Sequence, residues 1–69
     1  MTAEELKEAM LTCRPVVHKD YLKTIRYERV IGTYVRNVNG EDKTFAICAD
    51  YSGRSVTYLD PDRLEYDTV

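Results

Sequence analysis

Val30-Ile31-Gly32-Thr33-Tyr34-Val35-Arg36-Asn37-Val38-Asn39-Gly40-Glu41-Asp42-Lys43-Thr44-Phe45-Ala46-Ile47-Cys48-Ala49-Asp50-Tyr51-Ser52-Gly53-Arg54-Ser55-Val56-Thr57-Tyr58 is the stretch that decides the fold. Two turn signals, Asn39-Gly40 and Ser52-Gly53, cut it into three strand-like runs. Asn-Gly supplies the two positive-φ residues of a tight hairpin, and Ser-Gly is a weaker form of the same signal. The reading is an antiparallel meander. With two-residue loops at both turns, Val30 pairs with Ala49, Gly32 with Ile47 and Tyr34 with Phe45; Ala49 pairs with Val56 and Ile47 with Tyr58. One face then carries Val30, Tyr34, Phe45, Ile47, Ala49, Val56 and Tyr58, and the other Ile31, Thr33, Val35, Ala46, Cys48, Thr57 and Leu59. Both faces are partly apolar, so both are expected to be covered. The register opposes Arg36 to Lys43, a destabilising like-charge pair that a longer loop around Asn37 to Asp42 would relieve.

Working outward, Thr2 to Thr12 reads as a helix. Thr2 and Glu5 form a capping-box pattern, and Glu4 and Glu5 suit the positive end of the helix dipole. Leu6, Ala9, Met10 and Cys13 follow helical spacing, and Pro15 ends the helix at or before Arg14. So short a helix needs a surface to dock on. Pro15 to His18 is an extended run, Lys19-Asp20 a turn, and Tyr21 to Tyr27 is ambiguous. Alternation changes phase near Glu28-Arg29, ahead of the adjacent Val30 and Ile31, which predicts a bulge or bend. Asp60-Pro61 starts a helical turn, and Glu65-Tyr66 is a last short strand. The expected architecture is α+β and mostly β, one domain over residues 1–69. The N-terminal helix (2–12) packs on a five-stranded antiparallel SH3-like barrel or strongly curved sheet (14–67).

Sixty-nine residues make a single domain. A core of this size rarely supplies more than about 3–5 kcal/mol, so a homodimer is a natural source of extra stability. The acidic, polar start lacks a signal-peptide pattern, and no apolar run reaches a membrane span. The expected location is cytoplasmic, without membrane association. Cys13 and Cys48 lack the paired spacing of a zinc site, and Cys48 reads as a small buried side chain.

Candidate chemistry is sparse. His18, with Cys13 five residues earlier, lacks the flanking signature of a nucleophile–base pair and reads as a surface or strand-edge residue. Of the acidic pairs, Glu4-Glu5 caps the helix, Glu41-Asp42 lies beside a turn, and Asp60/Asp62 cap the helical turn. The last pair lacks the spacing of a calcium loop. Gly32, Gly40 and Gly53 are isolated, so no phosphate-cradling loop exists. The expectation is a non-enzymatic protein with no cofactor, no metal and no catalytic residue.

The run Asp50-Tyr51-Ser52-Gly53-Arg54-Ser55-Val56-Thr57-Tyr58-Leu59-Asp60-Pro61-Asp62-Arg63-Leu64, behind a Val38-Asn39-Gly40 hairpin and an acidic N-terminal helix, resembles small uncharacterised proteins of prophages and mobile elements in Gram-positive bacteria. That family has no assigned activity and lends no functional residue. The resemblance implies a bacterial, cytoplasmic, accessory role.

Two functional readings follow. The first is a protein-interaction module for a host or phage protein, anchored by Tyr51, Arg54, Arg63 and Tyr66, since Tyr and Arg are enriched at binding hot spots. Homodimerisation through a sheet edge is a variant of it. The second is nucleic-acid binding through residues 14–36, where Lys23, Arg26, Tyr27, Arg29, Tyr34 and Arg36 combine rings for base stacking with cations for phosphate. Charge is uneven along the chain: residues 14–36 balance at +4 and residues 41–69 at −4, against a total of −2. A pI of about 5.3 weighs against a dedicated nucleic-acid binder.

Overall fold

A computed structural model describes residues 1–67. Helix α1 (Ala3–Thr12) is followed by β1 (Val16–Lys19), β2 (Thr24–Tyr27), β3 (Arg29–Val38), β4 (Glu41–Ala49), β5 (Val56–Leu59), a 3-10 turn (Pro61–Arg63) and β6 (Leu64–Tyr66). The architecture is α+β and mostly strand. The strands form two three-stranded antiparallel sheets, ordered β2-β1-β6 and β3-β4-β5, and neither closes into a barrel. The sequence-based count of five strands falls short because Thr24–Tyr27 pairs with β1 as a strand of its own. The expected single barrel is replaced by two sheets that share a core.

The helix begins as its capping residues dictate. Thr2 Oγ1 accepts from Glu5 N–H at 3.2 Å, and Glu5 Oε1 accepts from Thr2 N–H at 3.0 Å. The N–H of Thr2 holds the Glu5 carboxyl below its usual range. The other end stops at Cys13, a left-handed cap with φ 55° ahead of Pro15. Leu6 and Ala9 are buried and Met10 packs beside them, whereas Cys13 is exposed.

The β3–β4 hairpin runs to its tip. Asn39 and Gly40 both have positive φ, 54° and 84°, as the tight turn requires. Asn37 reinforces the tip by donating to Asp42 and accepting from Gly40 N–H, both at 3.1 Å. Gly32↔Ile47, Tyr34↔Phe45, Arg36↔Lys43 and Val38↔Glu41 are paired as expected, with no loop inserted to separate the two cations. Ala49↔Val56 and Ile47↔Tyr58 also hold. The second turn is wider than a Ser-Gly pair: Asp50 N–H bonds Ser55 O, and Gly53 N–H bonds Asp50 O.

One pairing changes. Ile31 is extruded as a bulge, so Val30 opposes Cys48 instead of Ala49, and Arg29 opposes Ala49. The bulge lies two residues beyond the phase change seen in the sequence. It turns Val30 onto the face that holds Ala46 and Cys48, and all three are fully buried. The core is a single layer. Val30, Ala46 and Cys48 of the second sheet meet Leu6 and Ala9 of α1 and Val16, Tyr27 and Leu64 of the first sheet. Burying each Leu or Val side chain contributes about 1.5–3 kcal/mol. Helix and first sheet therefore share one face of β3-β4-β5. The expectation that both faces are covered does not hold.

Candidate functional site

The uncovered face of β3-β4-β5 is the most distinctive surface of the molecule. Its register sets Gly32, Ile47 and Tyr58 in one row, Tyr34 and Phe45 in the next, and Arg36 and Lys43 beyond them. Tyr34 and Tyr58 are 44% and 59% exposed, and their rings stack with centroids 5.4 Å apart and planes 23° apart. A Cβ at Gly32 would meet Ile47 Cδ1 in ordinary contact at 3.7 Å. Toward the opposite end, Arg29, Ile31, Ala49, Arg54 and Val56 border a shallow depression of about 380 Å³. Arg29 reaches the helix end as well, donating to Cys13 Sγ at 3.5 Å.

Cations flank the aromatic rows. Arg36 and Lys43 lie directly opposite each other, and neither is ion-paired to a described residue. Arg29 and Arg54 stand at the other end. Among the strand positions of this face, Glu41 is the one acid, and it sits at the hairpin tip. The strand positions of this face carry more cations than acids, although Asp60 and Asp62 border the cleft that Lys43 lines.

The structure divides the residues singled out from the sequence. Of the basic segment, Arg29, Tyr34 and Arg36 fall on or beside the open face. Lys23 and Arg26 belong to the first sheet and its β1–β2 turn, with Arg26 paired to Asp67 at 3.6 Å. Tyr27 is buried, 7% exposed, and its ring is part of the core. Of the hot-spot set, Tyr51 and Arg54 lie in the β4–β5 loop, while Arg63 and Tyr66 lie on the 3-10 turn and β6. Arg63 approaches Asp20 at 3.7 Å and the Tyr21 ring at 5.5 Å. Tyr66 donates to Glu5 O at 3.4 Å and lies under the Arg14 guanidinium at 3.8 Å. Burial, with the Glu8 carboxylate beside it, raises the Tyr66 phenol above its ordinary pKa. Sequence reasoning missed Tyr58 and Lys43 as site residues, although the meander register already placed Tyr58 on the face of Tyr34.

The remaining candidates take structural roles. His18 lies on β1, the central strand of the first sheet, between Ile25 and Leu64. Asp60 accepts from Asp62 N–H at 3.0 Å, the cap of the 3-10 turn. Both carboxylates border a cleft of about 460 Å³ with Leu6, Lys43 and Phe45. Among the described residues no three His, Cys, Asp or Glu side chains group as metal ligands, and no helix is long and apolar enough to cross a membrane. The cysteines are free, and burial pushes the Cys48 thiol up to about 11. No protein-family model, curated protein or solved structure matches this chain.

Proposed function

We propose that this protein is a non-enzymatic interaction module that engages another macromolecule through the open face of β3-β4-β5. One observation carries the reading: a sheet packed on one face by a helix and a second sheet presents Tyr34, Phe45, Ile47, Val56 and Tyr58 on the other. An exposed aromatic row flanked by cations with no ion pair among the described residues contributes little to a monomer's stability, whereas a binding surface uses both. Small SH3-like barrels also set antiparallel sheets around one core, and that looser likeness suits a binding role without specifying it. An accessory role in a bacterial prophage or mobile element accords with the small size and the sequence resemblance.

Hydroxyl-radical footprinting of the purified chain, alone and in a bacterial cell extract, tests the reading. The expected result is protection of Tyr34 and Tyr58 in the extract, with Tyr21 equally reactive in both. Absence of protection, or protection confined to Tyr21 and Tyr66, contradicts it.

A further inference from the structure

We infer that the open face is a stacking platform for single-stranded nucleic acid; this rests on the interaction-module reading and names its partner. Three features point the same way. The Tyr34–Tyr58 stack, made by rings from the two outer strands β3 and β5, offers phenol rings to solvent, where unpaired bases can lie on them. Arg36 and Lys43 are held side by side across two strands with no described carboxylate in ion-pair range, so the sheet maintains a like-charge repulsion that a phosphate would relieve. Arg54 places a cation at the far end of the same face, and Arg29, whose guanidinium donates to Cys13 Sγ at the helix end, borders the same depression.

The dimensions agree. From the Arg36 row to the Arg29 row, β4 spans about 20 Å from Lys43 to Ala49 at roughly 3.3 Å per residue, which matches the short end of the roughly 4–16-nucleotide sites of sheet-based binders. A duplex fits less well. Its bases are already stacked and present no face to a tyrosine ring, and the long β3–β4 hairpin, which has the form of a groove-reading ribbon, carries Glu41 and Asp42 at its tip. A protein partner would not specifically require two adjacent unpaired cations beside the rings. The acidic balance of the rest of the chain confines binding to this face and makes it moderate in strength and sensitive to salt.

Fluorescence anisotropy with labelled 12-mers of dT and rU, and with a 12-base-pair duplex, tests the proposal on the full chain. Single strands are expected to bind in preference to the duplex. With about three phosphates neutralised, affinity should fall roughly 15- to 20-fold between 50 and 200 mM salt. Tyr34→Ala and Tyr58→Ala should each weaken binding at least about fivefold. Arg36→Gln combined with Lys43→Gln should flatten the salt slope by about 1–1.5. Lys23→Gln, in the β1–β2 turn away from this face, should leave binding unchanged. Circular dichroism confirms that each variant is folded, and for any that is not, chemical-shift mapping of the unmodified chain with dT 12-mer replaces it.

No single-strand binding at 50 mM salt, or binding indifferent to all four open-face substitutions, overturns the proposal. Footprint protection in extract should vanish after nuclease treatment. Protection that survives nuclease, with no oligonucleotide binding, overturns the nucleic-acid partner in favour of a protein and leaves the interaction module standing. Absence of protection in any extract removes both.

Discussion

The two faces of the β3-β4-β5 sheet come from alternating residues of the same strands, yet one is shut over Val30, Ala46 and Cys48, leaving Thr33 and Val35 exposed toward the hairpin tip, and the other is open. The shut face is built from Val30, Ala46 and Cys48, all fully buried; the open face is built from Tyr34, Phe45, Ile47, Val56 and Tyr58. Apolar character does not separate them, because the open face carries the larger apolar side chains. Size does. Small residues let a helix and a second sheet approach the backbone closely, so the core forms where the sheet is low. The bulky rings are left for solvent.

Breaking the shut face should have the largest effect. Leu6→Ala removes the helix's main buried anchor and should destabilise by about 2–5 kcal/mol, comparable with the total of roughly 3–5 kcal/mol expected of such a core. Urea unfolding should show the variant largely unfolded. Tyr58→Ala, on the open face, should cost about 1 kcal/mol by the same measurement, the loss of one exposed aromatic pair. Equal losses at the two sites would erase the distinction between the faces.

Thr2→Ala removes the helix cap and should cost about 1 kcal/mol, since Oγ1 no longer accepts from Glu5 N–H. It should also move the Glu5 carboxyl part of the way back up, because the Thr2 hydroxyl's share of the lowering is lost while the larger share, from the backbone N–H, stays. In the unmodified chain that group is depressed, so its contribution is present above its unfolded pKa and lost as pH falls through the folded one. The acid limb of stability against pH should accordingly flatten in the variant.

Deleting Ile31 sharpens the comparison further. The extra residue is taken out, and Arg29↔Ala49, Val30↔Cys48 and Gly32↔Ile47 become consecutive rungs of a regular ladder. The deletion should therefore keep the fold and the burial of Val30, with a change in stability below about 1 kcal/mol, as is usual for a substitution outside the core. A register slip, seen as loss of the cross-strand nuclear Overhauser contacts between Val30 and Cys48, would contradict this account of the bulge.

The smallest effect is chemical. Cys13 is exposed, whereas burial raises the Cys48 thiol to about 11. Iodoacetamide at pH 8 should modify Cys13 well before Cys48 by mass spectrometry. Because the Cys48 pKa is raised, its contribution to stability is intact below the unfolded value near 9.0 and declines as pH climbs toward 11.

Much of this was legible in the residues. Thr2 and Glu5 announced the helix start, and Asn39-Gly40 fixed the hairpin register from Gly32 to Val38 without structural information. The sequence also showed both faces of the meander. Which of them would be buried was not legible, because that choice depends on long-range packing: β1 and β6, nearly fifty residues apart, come together to form the lid over Ala46 and Cys48. The same cause hid the site. The basic stretch 14–36 is continuous in sequence but folds into two sheets, sending Tyr27 to the core and Tyr34 to the surface. Local pattern places a residue on a strand face, and the rest of the fold decides what that face meets.

Residue-resolved radical labelling of the tyrosines in the purified chain, with and without dT 12-mer, tests the central claim most directly. The account predicts that Tyr34 and Tyr58 react as solvent-facing rings in the free chain and become protected when the oligonucleotide is added, with Tyr27 unreactive throughout and Tyr21 reactive throughout. Tyr34 and Tyr58 as unreactive as Tyr27 in the dilute free chain would contradict it, because the face described as open would then be closed.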